Sequence, residues 1–181
     1  MQKKSKTKIR PLQKQNKPGL EAKLSPLPES EPIQQNGKLK GKTAIITGGD
    51  SGIGKATALL FAAEGADIVI SYLSETSDAK ETKKEIEKLG RKCILIKGDL
   101  GKENNCKKVI TETIKTFGKV DILVNNAGIH WESEKIEDIS SEQLMKTFHS
   151  KFFSVFWLTK YAMKHLKKGS SIINTTSVTA Y

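Results

Sequence analysis

The chain has 181 residues, of which 36% are hydrophobic and 28% charged, and its formal net charge is +11. This length suits one domain of ordinary size, and no apolar run approaches the ~20 residues of a membrane-spanning helix. No apolar segment follows the basic N-terminus, so we expect no secretory signal, no membrane partner and a cytoplasmic location.

Residues 1–40 hold much of the positive charge and all five prolines. Ten lysines or arginines against three glutamates give this segment a net charge of +7. Such a polar segment cannot bury enough apolar surface to fold alone, so we expect a disordered arm before a domain over residues 41–181. The arm has no aromatic residue to stack on bases, which argues against a nucleic-acid partner. Binding of RNA or DNA by this arm is the alternative.

Strand and helix patterns alternate after the arm. Strands are predicted at about 43–47, 67–72, 92–97, 120–124 and 171–176, and helices at about 52–64, 77–89, 102–117 and 141–166. The longest helix repeats apolar residues at helical spacing, with Leu144, Phe148 and Phe152 on its expected buried stripe. The alternation predicts an α/β fold, a doubly wound parallel sheet with helices on both faces.

The cysteines and histidines give no sign of a metal site. Cys93 and Cys106 fall in a predicted strand and on the apolar stripe of a predicted helix, where buried reduced thiols are expected. His130, His149 and His165 do not cluster with other ligands at metal-binding spacing.

The stretch TGGDSGIG, from Thr47 to Gly54, joins the first strand to the first helix. Glycines allow a tight turn that a phosphate can approach, and the N–H groups at the start of the helix face that anion. The next predicted strand completes the βαβ unit of a Rossmann-type dinucleotide site. Because ordinary loops can carry the same glycines, the turn needs support from elsewhere in the chain.

Three further groups of polar residues supply that support. Asp99 follows the third predicted strand, the sequence NNAG at 125–128 follows the fourth, and Ser177 follows the fifth. The carboxyl ends of parallel strands share one edge of the sheet, where open α/β sheets bind ligands. We therefore expect one site at that edge.

In order and spacing, these motifs resemble those of the short-chain dehydrogenase/reductase family of NAD(P)-dependent oxidoreductases, most closely its glucose/ribitol-dehydrogenase-like members. The resemblance covers about residues 39–181 and implies a Rossmann-type fold and a homo-oligomer. It also implies an enzyme that oxidises an alcohol or reduces a carbonyl compound.

The resemblance also implies a role for each motif residue. The glycine turn holds the cofactor, Asp99 contacts adenine, and the residues after the fourth strand flank the adenosine ribose and support the central strands. Ser177 is the implied catalytic residue, which binds the substrate oxygen. A plain turn residue at Asp99 and an ordinary strand-end hydroxyl at Ser177 are the alternatives. The implied cofactor residues are Gly48, Ser51, Gly52, Ile53, Gly54, Asp99, Leu100, Asn125, Ala127 and Gly128.

The choice between NAD and NADP is weakly marked. In the family, an acid at the end of the second strand usually selects NAD, and a basic residue there or in the glycine turn often selects NADP. This chain has Tyr72 and Leu73 at the strand end and Asp50 in the turn. None is basic, so the sequence leans to NAD. His130 and Trp131 follow NNAG and could reach a substrate, or they are exposed loop residues.

The chain departs from the family pattern at its proton donor. That donor is a tyrosine in a Tyr-x-x-x-Lys motif beyond the serine, whereas this sequence ends at Tyr181, and Tyr161 precedes His165 rather than a lysine. General acid–base catalysis supplies ~10²–10⁴-fold in rate. We therefore expect a truncated and weakly active or inactive form. A non-catalytic dinucleotide-binding or subunit-pairing module is the alternative.

Lys151 is a second departure, because the family usually carries an asparagine at this place in the long helix. Lysine only donates hydrogen bonds and cannot copy the acceptor of an amide. Its ammonium either brings a charge toward the site or extends into solvent.

Overall fold

A computed structural model of the chain describes residues 36–129, 131, 133 and 135–177. Five strands alternate with helices over this part of the chain. The strands are β1 (Thr43–Thr47), β2 (Asp67–Tyr72), β3 (Cys93–Lys97), β4 (Ile122–Asn125) and β5 (Ser171–Asn174). The helices are α1 (Gly52–Ala63), α2 (Thr76–Lys88), α3 (Glu103–Phe117), α4 (Ser141–Phe148) and α5 (Ser154–Ala162).

The strands form one parallel sheet in the order β3-β2-β1-β4-β5. The central strand β1 is buried at all five positions, as expected of a strand covered on both faces. Its Ile45 pairs with Val69 of β2 and Leu123 of β4. The order reverses between β1 and β4, so the predicted doubly wound α/β fold is confirmed.

Each face of the sheet has its own helices and its own core. Neighbouring strand residues point to opposite faces, so Ile46 packs with α1 and α2 while Ile45 packs with α3 and α5. Ala58 and Ile86 anchor the first pair of helices, and Val109 anchors α3. These two layers leave the carboxyl edge of the strands uncovered for a site.

The end of the predicted N-terminal arm contacts the domain. The backbone N–H groups of Asn36 and Lys38 donate to the carboxylate of Glu64, and that of Leu39 donates to its carbonyl oxygen at 2.9 Å. Leu39 also packs against the α1 and α2 core. Residues 1–35 of the predicted arm lie outside the described residues.

The predicted long helix at 141–166 is wrong in two respects, because a π-helical turn over His149–Phe153 separates α4 from α5 and because α5 ends at Ala162. A π turn inserts one extra residue, which shifts the spacing of the core-facing residues along the sequence. The expected buried stripe is also wrong, because Leu144, which precedes the π turn, is 48% exposed and Phe152 within it is 61% exposed. Leu158 and Ala162 of α5 are buried instead.

Two strand boundaries also differ from the sequence prediction by two residues each. β4 begins at Ile122 rather than at residue 120, and β5 ends at Asn174 rather than at residue 176. β5 lies at the edge of the sheet, and all four of its residues are exposed. A short Ile136–Asp138 3₁₀ turn, which no sequence pattern predicted, leads into α4.

Both cysteines are buried free thiols, as predicted. Burial raises the pKa of Cys93 and of Cys106 to about 12, which favours the protonated thiol. In the described part of the chain, no helix is long and apolar enough to span a membrane. The same residues contain no group of three or more His, Cys, Asp or Glu side chains that could hold a metal ion.

Candidate cofactor site

The glycine turn between β1 and α1 is tightly folded. Gly48 and Gly52 have φ values of 65° and 54°, a left-handed conformation that favours glycine. A Cβ on Gly54 would lie 1.8 Å from the carbonyl oxygen of Gly48. Only a hydrogen at this position lets the first turn of α1 pack onto the end of β1.

The N-terminus of α1 is arranged to receive an anion. Its N-cap residue, Ser51, makes no side-chain hydrogen bond to the first turn, and that turn contains no acidic residue. The positive end of the helix dipole is therefore not neutralised by a carboxylate of its own first turn. Phosphate groups bind at helix ends of this kind.

Thr47 and Asn126 join the ends of β1 and β4 below this turn. The Thr47 hydroxyl accepts from the backbone N–H groups of Asn126 and Ala127, both at 2.9 Å, and donates to the carbonyl of Val124. The Asn126 amide donates to the carbonyl of Thr47 at 3.1 Å. These bonds fix the NNAG segment beside Gly48.

A second turn, over residues 98–102, follows β3. The Asp99 carboxylate accepts from the N–H of Gly101 at 2.8 Å, and its carbonyl accepts from the Asn105 amide at 2.8 Å. Leu100 is buried and anchors the turn in the core. The Asp99 side chain therefore stays at the exposed edge of the sheet.

These segments surround a cavity of about 240 Å³ at the carboxyl edge of the sheet. Its walls come from the glycine turn, the end of β2, the Asp99 turn, the NNAG segment and the π turn. Six predicted site residues line it, namely Gly48, Ser51, Asp99, Leu100, Ala127 and Gly128. The glycine turn, the Asp99 turn and the NNAG segment therefore meet at one cavity, whereas Ser177 is not among its lining residues.

Other predicted site residues lie beside the cavity rather than in its wall. Gly52, Ile53 and Gly54 form the first turn of α1, where Ile53 is 69% exposed. Asn125 is buried and its amide donates to Asn174 at 2.9 Å, so it joins β4 to β5. Ser177 is exposed and lies three residues beyond β5. His130 lies outside the described residues, and the carbonyl of Trp131 accepts from Gln143.

The wall near β2 is acidic. Asp50 and Glu75 both line the cavity and are both buried, and Asp78 is buried nearby. Burial, with a smaller contribution from the negative charges of Glu75 and Asp78, raises the pKa of the Asp50 carboxyl to about 6. No sequence signal marked Asp50 as buried, since glycine-turn residues are usually exposed.

Ser71 of β2 is another wall residue that the sequence did not identify. Its side chain is fully buried, and its Oγ has no hydrogen-bond partner among the described residues. A buried hydroxyl without a partner costs free energy unless a ligand or a water satisfies it. This hydroxyl, the open helix end and the glycine cradle fit a polar phosphate-containing ligand.

Lys151, in the middle of the π turn, extends toward the NNAG segment. Its Nζ would lie 2.9 Å from a Cβ on Gly128, and its Cε would lie 3.5 Å from the same point. Of the two expectations for this lysine, the structure bears out the one that brings its charge to the site.

A doubly wound parallel sheet with a glycine turn at its carboxyl edge defines a dinucleotide-binding domain of the Rossmann type. The model of the family described as short chain dehydrogenase matches residues 42–181. The chain belongs to this family.

Three similar proteins were compared with the chain. The oxidoreductase YhdF of Bacillus subtilis is 56% identical over 173 residues, which are 94% of this chain and 60% of YhdF. NADPH-dependent aldehyde reductase 1 of Arabidopsis thaliana is 45% identical over 93% of this chain and 62% of its own. A short chain dehydrogenase from Burkholderia cenocepacia, solved in complex with NADP, has a TM-score of 0.77 at 35% identity and covers 79% of this chain and 58% of its own.

Two facts follow from these comparisons. The chain spans about 60% of the length of the curated relatives that it matches. The names of two compared proteins mention NADP or NADPH, so the comparisons give no support to the lean to NAD.

Proposed function

We propose that the chain binds NAD(P) as the cofactor-binding part of an oxidoreductase that acts on an alcohol or a carbonyl compound. One observation carries this proposal: the glycine turn, the Asp99 turn and the NNAG segment, far apart in sequence, line one cavity at the carboxyl edge of the sheet. Membership of the short-chain dehydrogenase family supports the same function.

Within this proposal, the glycine turn binds the pyrophosphate. Backbone N–H groups at the start of α1 face the phosphates, and a substituent at Gly54 would close the cradle. Asp99 and Leu100 hold the adenine, while Ala127 and Gly128 flank the adenosine ribose. The full set of proposed cofactor residues is Gly48, Ser51, Gly52, Ile53, Gly54, Asp99, Leu100, Asn125, Ala127 and Gly128.

The cofactor, when bound, supplies or accepts the hydride. Ser177 is the proposed catalytic residue, since its hydroxyl can donate a hydrogen bond to the substrate oxygen. A serine hydroxyl alone is a poor proton donor at neutral pH, so we propose weak turnover or none for these 181 residues. The alternative of a non-catalytic module is not favoured, because the compared relatives are named as oxidoreductases or reductases.

The preference between NAD and NADP depends on the acidic wall. Ionised Asp50 and Glu75 would repel the 2′-phosphate of NADP, which favours NAD on electrostatic grounds, whereas the named relatives favour NADP. The ratio of the dissociation constants for NADPH and NADH measures the outcome directly.

We also propose a homo-oligomer with a small-molecule substrate. The exposed apolar side chains of Phe148, Phe152 and Phe156 on α4, the π turn and α5 support self-association, because monomers rarely expose such patches. Static light scattering of the purified chain measures its mass.

The test of cofactor binding is Ile53→Asp. An acid in the first turn of α1 favours the helix dipole, so the fold is retained, but it repels the pyrophosphate. We expect the Kd for NADH and NADPH to rise at least about tenfold. Leu60→Asp is the matched control, because Leu60 is also an exposed apolar residue of α1 but lies near its other end. Equal affinities of the Ile53→Asp variant and the wild type would contradict the proposal.

A further inference from the structure

His149, the first residue of the π turn, bonds to the turn that carries Asp99. Its Nδ1 lies 2.9 Å from the carbonyl oxygen of Gly101. A carbonyl oxygen only accepts hydrogen bonds, so the ring carries a proton on Nδ1 and donates it. Both the neutral Nδ1–H form and the imidazolium can make this bond.

The ring of His149 is held in place by aromatic neighbours. It meets Phe153 edge-on, with 4.9 Å between ring centroids and an interplanar angle of 77°, and lies 5.9 Å from Trp157. This packing limits the rotation of the ring. The donor therefore points at Gly101 from a fixed position on the helix.

Gly101 also bonds to Asp99 and so links it to His149. Its N–H donates to Oδ1 of Asp99 at 2.8 Å. A Cβ on Gly101 would lie 3.0 Å from the same oxygen and 3.4 Å from Cβ of His149. The three residues are thus packed in series, and the orientation of the carboxylate depends on where Gly101 sits.

The Asp99 carboxylate can accept more hydrogen bonds than the one from Gly101. Asp99, Gly101 and Ser150, the residue after His149, all line the cavity. A donor group on an adenine base, such as its exocyclic amino group, matches this acceptor.

We propose that His149 is a positioning residue of the adenine subsite, which holds Gly101 so that the Asp99 carboxylate faces the amino group of the base. This inference rests on the proposed function, because it requires that the cavity binds an adenine dinucleotide. Nothing in the sequence pattern marked His149, since no local spacing links residues 101 and 149.

The test compares NADH with its reduced hypoxanthine analogue, which lacks the amino group. Binding is measured by calorimetry for the wild type, His149→Leu and His149→Asn. Leucine keeps an apolar contact with the neighbouring aromatic rings but removes the donor, while the asparagine amide can donate from nearly the same position as Nδ1. His165→Leu is the control, because it changes a histidine beyond the end of α5.

We expect the wild type to bind NADH several-fold more tightly than the analogue. His149→Leu should weaken NADH binding about tenfold and lose this preference, while binding the analogue like the wild type. His149→Asn and His165→Leu should keep the preference. If His149→Leu does not fold, Gly101→Ala replaces it, since the added methyl group displaces the Asp99 carboxylate from the other side.

Three results would overturn the inference: no preference in the wild type, a preference retained in His149→Leu, or equal losses for both ligands in that variant. Failure of the proposed function has a different signature. In that case the wild type binds neither NADH nor NADPH, whatever residue stands at position 149.

Discussion

A side chain added at Gly54 and one added at Gly128 would contact different kinds of atoms, although both glycines belong to the proposed site. A Cβ on Gly54 would meet the backbone oxygen of Gly48 at 1.8 Å, and backbone in this turn cannot move without opening it. A Cβ on Gly128 would meet Nζ of Lys151 at 2.9 Å, which is the far end of a flexible side chain. The same substitution therefore tests two kinds of contact.

We expect Gly54→Ala to lower the free energy of unfolding by about 3 kcal/mol through overpacking. This cost arises although alanine favours a helix more than glycine does. Gly128→Ala should cost less than about 1 kcal/mol, because Lys151 can swing away. Urea unfolding of both variants measures the difference, and similar costs would contradict the geometry described for the turn.

Asp50 gives the fold a defined pH dependence. Its pKa is about 6 in the folded state, mainly because of burial, against an ordinary value of 3.8. The folded state therefore binds the Asp50 proton more tightly than the unfolded chain does. The stabilisation that protonated Asp50 contributes is fully present below pH 3.8. It falls as the pH rises from 3.8 to about 6.

Asp50→Asn removes the free-energy cost of ionising a buried carboxyl group, because the amide stays neutral. We expect the variant to be more stable than the wild type at pH 7 by about 2 kcal/mol, and the gap to shrink toward pH 4. Urea unfolding at several pH values measures the gap. The control is Asp138→Asn in the exposed 3₁₀ turn. A stability difference between Asp50→Asn and the wild type that does not grow with pH would contradict a raised pKa of Asp50 in the folded state.

At the residue scale, the sequence predicts those site residues that belong to a motif directly after a predicted strand. The glycines, Asp99 and NNAG stand directly after strands, so their place at the carboxyl edge follows from the order of the chain. Ser71, Asp50 and His149 carry no such signal. Their roles come from contacts across the fold that a single sequence does not reveal.

The π turn between α4 and α5 contacts two other walls of the cavity. From one short segment, His149 bonds to the Asp99 turn and Lys151 reaches Gly128. A regular α-helix over the same residues would rotate one of these contacts away. Apolar spacing predicted the helix but not the inserted residue.

Deleting Phe152 tests this element. A π turn holds one residue more than an ordinary helical turn, so the deletion lets the segment close as a regular α-helix while α5 keeps its orientation and Leu158 and Ala162 stay in the core. We expect the free energy of unfolding to fall by less than about 1 kcal/mol, because the lost side chain is 61% exposed. Deleting Phe156, which is 56% exposed in α5, is the matched control. A regular α-helix has no extra residue to lose, so this deletion rotates part of α5 out of the core and should cost more than about 3 kcal/mol. Equal effects of the two deletions in urea unfolding would show that the π turn does not hold an extra residue.

At the scale of the whole molecule, the fold follows from the alternation of strands and helices. Buried apolar strands need cover on both faces, and the connecting helices supply it, so the doubly wound sheet was predictable. The exposed apolar side chains on α4, the π turn and α5 were not predictable, because apolar residues at helical spacing are expected in the core. The polar edge between the two layers is where the cofactor is proposed to bind.

Calorimetric titration of the 181-residue chain with NADH and NADPH measures directly whether the cavity at the carboxyl edge of the sheet binds the cofactor. We expect saturable binding of one cofactor per chain with a Kd on the order of 10–100 µM, weakened by Ile53→Asp but not by Leu60→Asp. No saturable binding of either cofactor by the folded chain would contradict it.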